Sequence, residues 1–434
     1  MMRIAVVGAG WAGCVAALTL ARRGHALTVF EAARIAGGRA RRVEHNGRTF
    51  DNGQHLLLGA YQRTLAVIAS LHGRDDESAL QRLPLLLQTA PRLRHEILVR
   101  APALPAPLHL LVALACARGL TISERAATLR WAGLVLRGKS PVDESWTVAE
   151  LIAAQPAAPR DLLWSPLCVA ALNTPAENAS ATVFVEVLRR SFNGSTENSS
   201  LVVPRADLTE LLPAPALREV ATLGGELCLG APVESVSRAG PAGASVRVAG
   251  VERRFDAAII ATGPQHVARL LPWDTSGLAT NLASLRYEPI STLHFEFAYV
   301  FPGVDPAVPM LMLDGDPGQW LFWHQLPNGH QRASVVISAH HREEPEAAIT
   351  AATLAQLQRS YQLPATIWQR LITEKRATYA CTPVQRRLLQ ALPAQIGCIY
   401  FAGDWCVPEL PATLESAVLS GERAAARLQG DFDA

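Results

Sequence analysis

The sequence predicts an α/β fold organised around a dinucleotide-binding domain of alternating strands and helices. Three observations predict it. A G-x-G-x-x-G run sits between a short apolar strand and an Ala-rich helical stretch. An acid closes the next strand. Two further short apolar strands recur far downstream, at 255–261 and 398–402. The 434 residues are 49% hydrophobic and 18% charged, against a typical charged share of about 25%. A mostly disordered chain is excluded. No repeat marks a solenoid or propeller, and the length suits one large domain or two to three ordinary ones. Net charge is +2, and no long basic run points to nucleic acid.

Arg3 to Val7 reads as a buried parallel strand and meets Gly8-Ala9-Gly10-Trp11-Ala12-Gly13. Gly8 permits the tight turn, Gly10 lets backbone approach a pyrophosphate, and Gly13 lets helix and strand pack closely. The amides that open the helix at Trp11 and Ala12 face the phosphates with a partial positive charge. The helix is expected from about Cys14 to Arg23, with Gly24 as its stop. Leu27 to Phe30 follows as the second strand, and Glu31, 18 residues after Gly13, is placed to accept from a ribose. Val233 to Val236 reads as an edge or crossover strand, and Phe255 to Ala261 as another short apolar strand running into Thr262-Gly263-Pro264. Cys398 to Ala402 is the last strand, Gly403-Asp404 caps it, and Pro411-Ala412-Thr413-Leu414-Glu415 opens a final helix to about Leu428.

Seven cysteines, none in a C-x-x-C pair, support neither a disulfide framework nor a metal site. The start of the chain lacks the regions of a signal peptide, and no run of about 20 apolar residues spans a bilayer. The expected location is the cytoplasm, with peripheral contact on the inner face of the cell membrane left open.

Ile35-Ala36-Gly37-Gly38-Arg39-Ala40, close behind Glu31, resembles the flavoprotein superfamily of amine oxidases and phytoene desaturases. Phe50-Asp51-Asn52-Gly53-Gln54-His55-Leu56-Leu57-Leu58-Gly59-Ala60-Tyr61 narrows the resemblance to the hydroxysqualene dehydroxylases of hopanoid biosynthesis. So do Leu163-Trp164-Ser165-Pro166, Leu172-Asn173-Thr174-Pro175, Val203-Pro204-Arg205, Lys375-Arg376-Ala377-Thr378 and Ala402-Gly403-Asp404-Trp405. The resemblance spans nearly the whole chain. It implies FAD as cofactor. Gly38 and Arg39 then lie along the phosphates and flavin, and Val233 contacts adenine through its backbone. Asp404 then bonds the ribityl chain beside Gly403, and the amides of Thr413 and Leu414 face the flavin's pyrimidine edge. Gly53, Gln54 and His55 would border the flavin ring, and Gly263 the nucleotide.

Cofactor motifs at both ends make the FAD-binding domain discontinuous, at 1–82, 200–265 and 375–434. The intervening pieces are a helical insertion at 83–199 and a mixed-sheet substrate domain at 266–374. Thr292 to Phe297 and Ala333 to Ser338 alternate as strands of that sheet.

The activity implied is reductive removal of the hydroxyl of hydroxysqualene, giving squalene. An allylic alcohol of this kind needs a proton on its leaving oxygen, a hydride, and a dry pocket. His55 is the strongest titratable candidate for the acid. Its alternative role is a packed histidine bonded to backbone or flavin carbonyls. Asp51 would orient a neighbour, or serve as a turn or helix cap. Covalent attachment of flavin through Cys381 or Cys406 is not expected from the spacing. The alternatives are an isoprenoid desaturase of phytoene or squalene type, an amine oxidase, and a non-enzymatic isoprenoid-binding carrier subunit. Flavin redox change driven by the lipid separates enzyme from carrier. The electron donor is not legible. Residues 83–120 are unusually apolar, and Leu108 to Ala115 reads as a short apolar helix. This stretch either touches a membrane or is buried in the substrate region.

Overall fold

The computed structural model describes residues 1–73, 79–240, 243–274, 276–305, 308, 310–341 and 344–433. Its central sheet has six strands, in the order Glu226–Leu229, Ala26–Glu31, Arg3–Val7, Ala257–Ile260, Ile399–Phe401, Gln395–Ile396. Every neighbouring pair is parallel except the last. The strands carry near-continuous apolar runs because helices cover the sheet, and Ile4, Ala5, Val6, Ala258, Ile259 and Ile260 are inaccessible to solvent. The phosphate-turn helix Trp11–Ala21 packs on the final helix Leu414–Asp433. The approach is close because position 421 is glycine: a Cβ there would lie 2.3 Å from the Ala12 carbonyl oxygen.

The helix begins three residues before its expected start and the final helix runs five past its expected end. The strand expected at 255–261 is divided. Val251–Phe255 belongs to a three-stranded antiparallel sheet with Ala244–Val248 and Val233–Arg238. Ala257–Ile260 belongs to the central sheet. Asp256 marks the break, its carboxylate accepting from the Arg3 amide at 2.7 Å.

A second large sheet has five strands, in the order Met310–Met312, Trp320–Gln325, Gln331–Ser338, Tyr287–Phe297, Thr366–Tyr379. All pairings among these five strands are antiparallel. A parallel bridge from Thr89 to Met312 at its outer strand gives this sheet the mixed character expected of it. The 83–199 segment carries the helices Leu108–Ala115, Ile122–Leu136 and Ala181–Phe192, and also a small hairpin, Leu86–Gln88 with Leu98–Arg100. Its buried side chains share one core with Met310, Trp320, Phe322 and Val336 of the antiparallel sheet. Among the described residues, no helix is long and apolar enough to cross a membrane.

Candidate functional site

A cavity of about 780 Å³ runs from the carboxyl ends of the central parallel strands to the core between insertion and antiparallel sheet. Ligands of doubly wound sheets collect at this edge because the strands leave the helix N-termini and connecting loops there.

Its first half is the nucleotide cradle. Gly8 has φ +105°, and a Cβ would lie 2.7 Å from the Ala261 oxygen. At Gly13 a Cβ would lie 1.9 Å from the Gly8 oxygen, so this glycine serves helix–strand packing and does not itself line the cavity. Gly10 differs. A Cβ there meets nothing nearer than the Gly38 Cα at 4.0 Å, and the residue lines open space. Protein packing therefore does not demand glycine at position 10, and a closely apposed ligand would. Gly38, with φ +62°, faces it, and Gly10 and Gly37 form a parallel bridge. Trp11 and Ala12 line the same space, and the Trp11 indole is held by the Ala40 carbonyl at 2.9 Å. Glu31 sits at the rim, accepting from the amides of Ala9 (2.7 Å) and Ala33 (2.8 Å). This fixes the carboxylate beside the turn. The cradle fits a dinucleotide.

Residues brought from the far end close it. Arg39 and Asp404, 365 positions apart, form an ion pair at 2.7 Å, and Arg39 also donates to the Ala377 carbonyl at 2.7 Å. Asp404 is 5% exposed and accepts in addition from the Trp405 amide. Gly403 and Gly263 line the cavity beside them, as does Val233, whose carbonyl accepts from Arg269 at 3.0 Å. Thr413 and Leu414 open the final helix at the cavity wall. The Thr413 amide is already engaged by the Ser416 hydroxyl at 2.9 Å, so the helix offers its positive end through the Leu414 amide.

At the junction lie Asn52, Gly53, Gln54, His55, Leu56 and Tyr61. His55 Nδ1 bonds the Gly53 carbonyl at 3.1 Å, and among the described residues Nε2 has no hydrogen-bond partner. Burial, with the nearby Arg39 charge adding to it, holds the imidazole below the ordinary histidine range. Gln54 is clamped: its amide donates to the His55 carbonyl at 3.3 Å and its oxygen is bonded by His324 Nε2 at 3.0 Å. Burial, then Arg332, lowers His324 to about 4, so at neutral pH it is an uncharged N–H donor to Gln54. No local pattern in the sequence pointed to His324. Thr292, in contrast, lies on a strand the alternation did mark, and its hydroxyl receives the Gln54 amide at 3.4 Å.

Asp51 does not line the cavity. Its carboxylate accepts from the Leu208 amide at 2.9 Å, at the first turn of the helix Leu208–Leu211, and burial raises it to about 6. It holds the strand Arg48–Asp51 in place, and contact with a substrate is not part of its geometry.

The other half of the cavity is largely hydrocarbon, with Asn173, Arg190, Ser191 and Glu374 as polar members of its lining. Leu85, Leu87, Leu167, Phe184, Leu188 and Phe192 line one side, and Ile290, Met310, Trp320, Phe322 and Val336 the other. Glu374, in register with Ile290, is the carboxylate beside this lobe among the described lining residues.

A family model for flavin-containing amine oxidoreductases matches residues 11–429. The chain belongs to this family. A flavin carried on a dinucleotide cradle is FAD, and this member is an FAD-dependent oxidoreductase. Among curated relatives, the chain is 30% identical to the hydroxysqualene dehydroxylase of Rhodopseudomonas palustris, over 97% of this chain and 96% of that one. It is 26% identical to the hydroxysqualene dehydroxylase of Zymomonas mobilis, over 97% of each. It is 25% identical to the 15-cis-phytoene desaturase of Synechococcus elongatus, over 98% of this chain and 95% of that one. Among solved structures, cyclohexylamine oxidase from Brevibacterium oxydans superposes with a TM-score of 0.73 at 16% identity, covering 100% of both chains. Likeness at that identity speaks for the fold.

Proposed function

We propose that this flavoenzyme removes the hydroxyl of hydroxysqualene reductively, giving squalene. One observation carries the reading: a single cavity joins the FAD cradle to a hydrocarbon lobe, with His55 at the junction. The relatives named hydroxysqualene dehydroxylase support it.

When bound and reduced, FAD supplies a hydride equivalent. The protein supplies the rest. His55, protonated at Nε2, gives its proton to the substrate hydroxyl, the C–O bond breaks and water leaves. A C–H bond forms at the same carbon. The Gly53 carbonyl holds the imidazole by Nδ1–H, so the proton is offered from the ring's free edge. Gln54, clamped by His324, keeps the loop carrying His55 in register. The apolar walls exclude water, which would otherwise trap an allylic cation. A desaturase acting on an unfunctionalised isoprenoid would use the same lobe but has no use for a proton donor at the junction.

The hydrocarbon must also reach the site. Leu104, Leu108 and Val112 are 38%, 51% and 37% exposed along one face of the helical insertion, while Leu110 and Leu114 are buried beneath. Residues 92–139 hold eight Lys and Arg and two Glu, a net +6. An apolar stripe among cations suits an anionic bilayer surface, and peripheral docking there is part of the proposal.

The test is anaerobic incubation of photoreduced holoprotein with hydroxysqualene. Flavin reoxidation with squalene formed is the expected result. No reaction, with bleaching of oxidised flavin by squalene or phytoene instead, overturns the proposal in favour of a desaturase.

A further inference from the structure

Four carboxylates are among the described lining residues of the cavity, and three of them are engaged. Glu31 accepts from two backbone amides, and Asp404 pairs with Arg39. Glu415 accepts from the amides of Arg63 (3.0 Å) and Thr64 (2.8 Å) and from the Thr64 hydroxyl (2.7 Å). Glu374 differs. Among the described residues its hydrogen-bond donor is the Arg376 amide, at 3.2 Å. The guanidinium groups nearby are occupied elsewhere: Arg39 by Asp404 and the Ala377 carbonyl, Arg376 over the Tyr287 ring at 5.5 Å. A carboxylate has room for several donors, so most of the acceptor capacity of Glu374 is left to what the cavity holds.

Strand geometry sets where that carboxylate stands. Ile290, Thr292, Ile372 and Glu374 all line the cavity, and Ile290 pairs with Glu374 as Thr292 does with Ile372. Ser291 and Thr373, between them, bond each other at 2.8 Å and are not among the described lining residues. Glu374 therefore shares with Thr292 the face turned to the cavity, about 7 Å further along the strand. Thr292 leads to His55. A Cβ at Gly53 would lie 3.8 Å from the Thr292 hydroxyl oxygen and 3.7 Å from His55 Cε1, so hydroxyl and ring flank one glycine. Beyond Glu374 the pairing shifts: Glu288 faces Thr378 while Ile290 faces Glu374. This bulge turns the Ala377 carbonyl to Arg39 and leaves Glu374 in register at the lobe.

Resting on the proposed function, we infer that Glu374 is a second catalytic residue, stabilising the positive charge that develops on the allylic carbon as water leaves. His55 gives its proton to the hydroxyl. The C–O bond breaks, its electron pair going with the departing water. The carbon left electron-poor faces the Glu374 carboxylate until the hydride equivalent forms the C–H bond. The carboxylate makes no bond and keeps its charge throughout. Among hydrocarbon walls, a fixed anion is worth most once the substrate becomes cationic and little before.

Glu374→Gln keeps the shape and removes the charge. In the holoprotein it should lower kcat for hydroxysqualene by about a hundredfold, with KM within about threefold of wild type. A reading independent of turnover uses two probes. One is a tertiary amine on a polyprenyl chain, protonated at neutral pH; the other has carbon in place of the nitrogen. Each is titrated into the oxidised holoprotein and followed by flavin absorbance. Wild type should prefer the ammonium by about tenfold or more. Glu374→Gln should bind the two within about threefold of each other, and His55→Gln should keep the wild-type preference. The same preference in wild type and Glu374→Gln overturns the inference, as does bleaching of the flavin by the amine, which would make it a substrate. Should Glu374→Gln lose FAD, Glu374→Asp decides: it keeps the charge and must keep the preference. Failure of the underlying function looks different, since reduced wild type would then leave hydroxysqualene unchanged whatever its preference between the probes.

Discussion

Gly10→Ala should separate cofactor binding from folding. Position 10 is the N-cap of the helix Trp11–Ala21, with φ −71° and ψ 176°, a conformation open to any L-residue. The added Cβ meets only the Gly38 Cα, at 4.0 Å, which is ordinary contact. Alanine is a poorer N-cap than glycine by a fraction of a kcal/mol, and it reduces unfolded-chain entropy by about the same amount. The apoprotein should therefore keep its stability within about 1 kcal/mol. The cofactor loses more. The methyl group occupies the space between Gly10 and Gly38, holding a pyrophosphate off the amides of the turn. Charge-assisted hydrogen bonds are worth roughly 1.5–3 kcal/mol each, so losing the equivalent of one to two costs about 3 kcal/mol, or about a hundredfold in FAD affinity. The assay pairs FAD titration by flavin fluorescence with urea unfolding of the apoprotein. Gly13→Ala is the contrasting control: its Cβ would fall 1.9 Å from the Gly8 oxygen. It should destabilise the apoprotein by about 1–3 kcal/mol or more. If Gly10→Ala binds FAD as wild type does, the cradle is misplaced and the reasoning fails.

Four further outcomes are expected. Since His55 must be protonated to act and burial lowers its pKa, turnover should fall as pH rises through a value below the ordinary histidine range. His55→Gln should retain flavin, flatten that profile and lose roughly a hundredfold or more in rate, and an unchanged profile would remove His55 as the acid. Asp51 is raised to about 6, so its contribution to stability is full below its unfolded pKa and lost as pH rises through 6. Asp51→Asn should thus gain about 1 kcal/mol at pH 7.5 and little at pH 4, measured by denaturant unfolding at both. Asp404→Ala leaves Arg39, itself 37% exposed along its side chain, without its carboxylate partner. A loss of about 1.5 kcal/mol in apoprotein stability, together with weaker FAD binding, should follow. Leu108→Glu with Val112→Glu should release the protein from phosphatidylglycerol vesicles in a flotation assay without altering its bound-flavin spectrum.

Local features were legible in the sequence because they are set locally. The turn Gly8–Gly13, the acid at Glu31 and the opening of the last helix each follow from spacing and backbone demands within a few residues. The direction in which the five strands of the second sheet pair was not legible, since alternation marks a strand but not the direction of its neighbour. Asp51 illustrates the same limit. Its residue type and place beside His55 suggested chemistry, yet the partner that claims it, the Leu208 amide, lies 157 positions away. His324 escaped notice because its link to Gln54 joins two segments 270 positions apart. The Arg39–Asp404 pair needed only that both motifs serve one cofactor. What spacing cannot say is that the two would grip each other.

The strand order of the central sheet also governs when the protein can acquire its cofactor. Ala257–Ile260 lies between Arg3–Val7 and Ile399–Phe401. During synthesis at roughly 5–20 residues per second, the last of these leaves the ribosome about 20 to 80 s after the first. Until then one edge of Ala257–Ile260 has no partner, and Arg39 waits for Asp404. A nascent chain can display the phosphate turn but cannot clasp FAD. Loading is therefore completed only after Ile399–Phe401 and Asp404 have emerged, and a chain stalled before that point would carry an open sheet edge of the kind that invites aggregation.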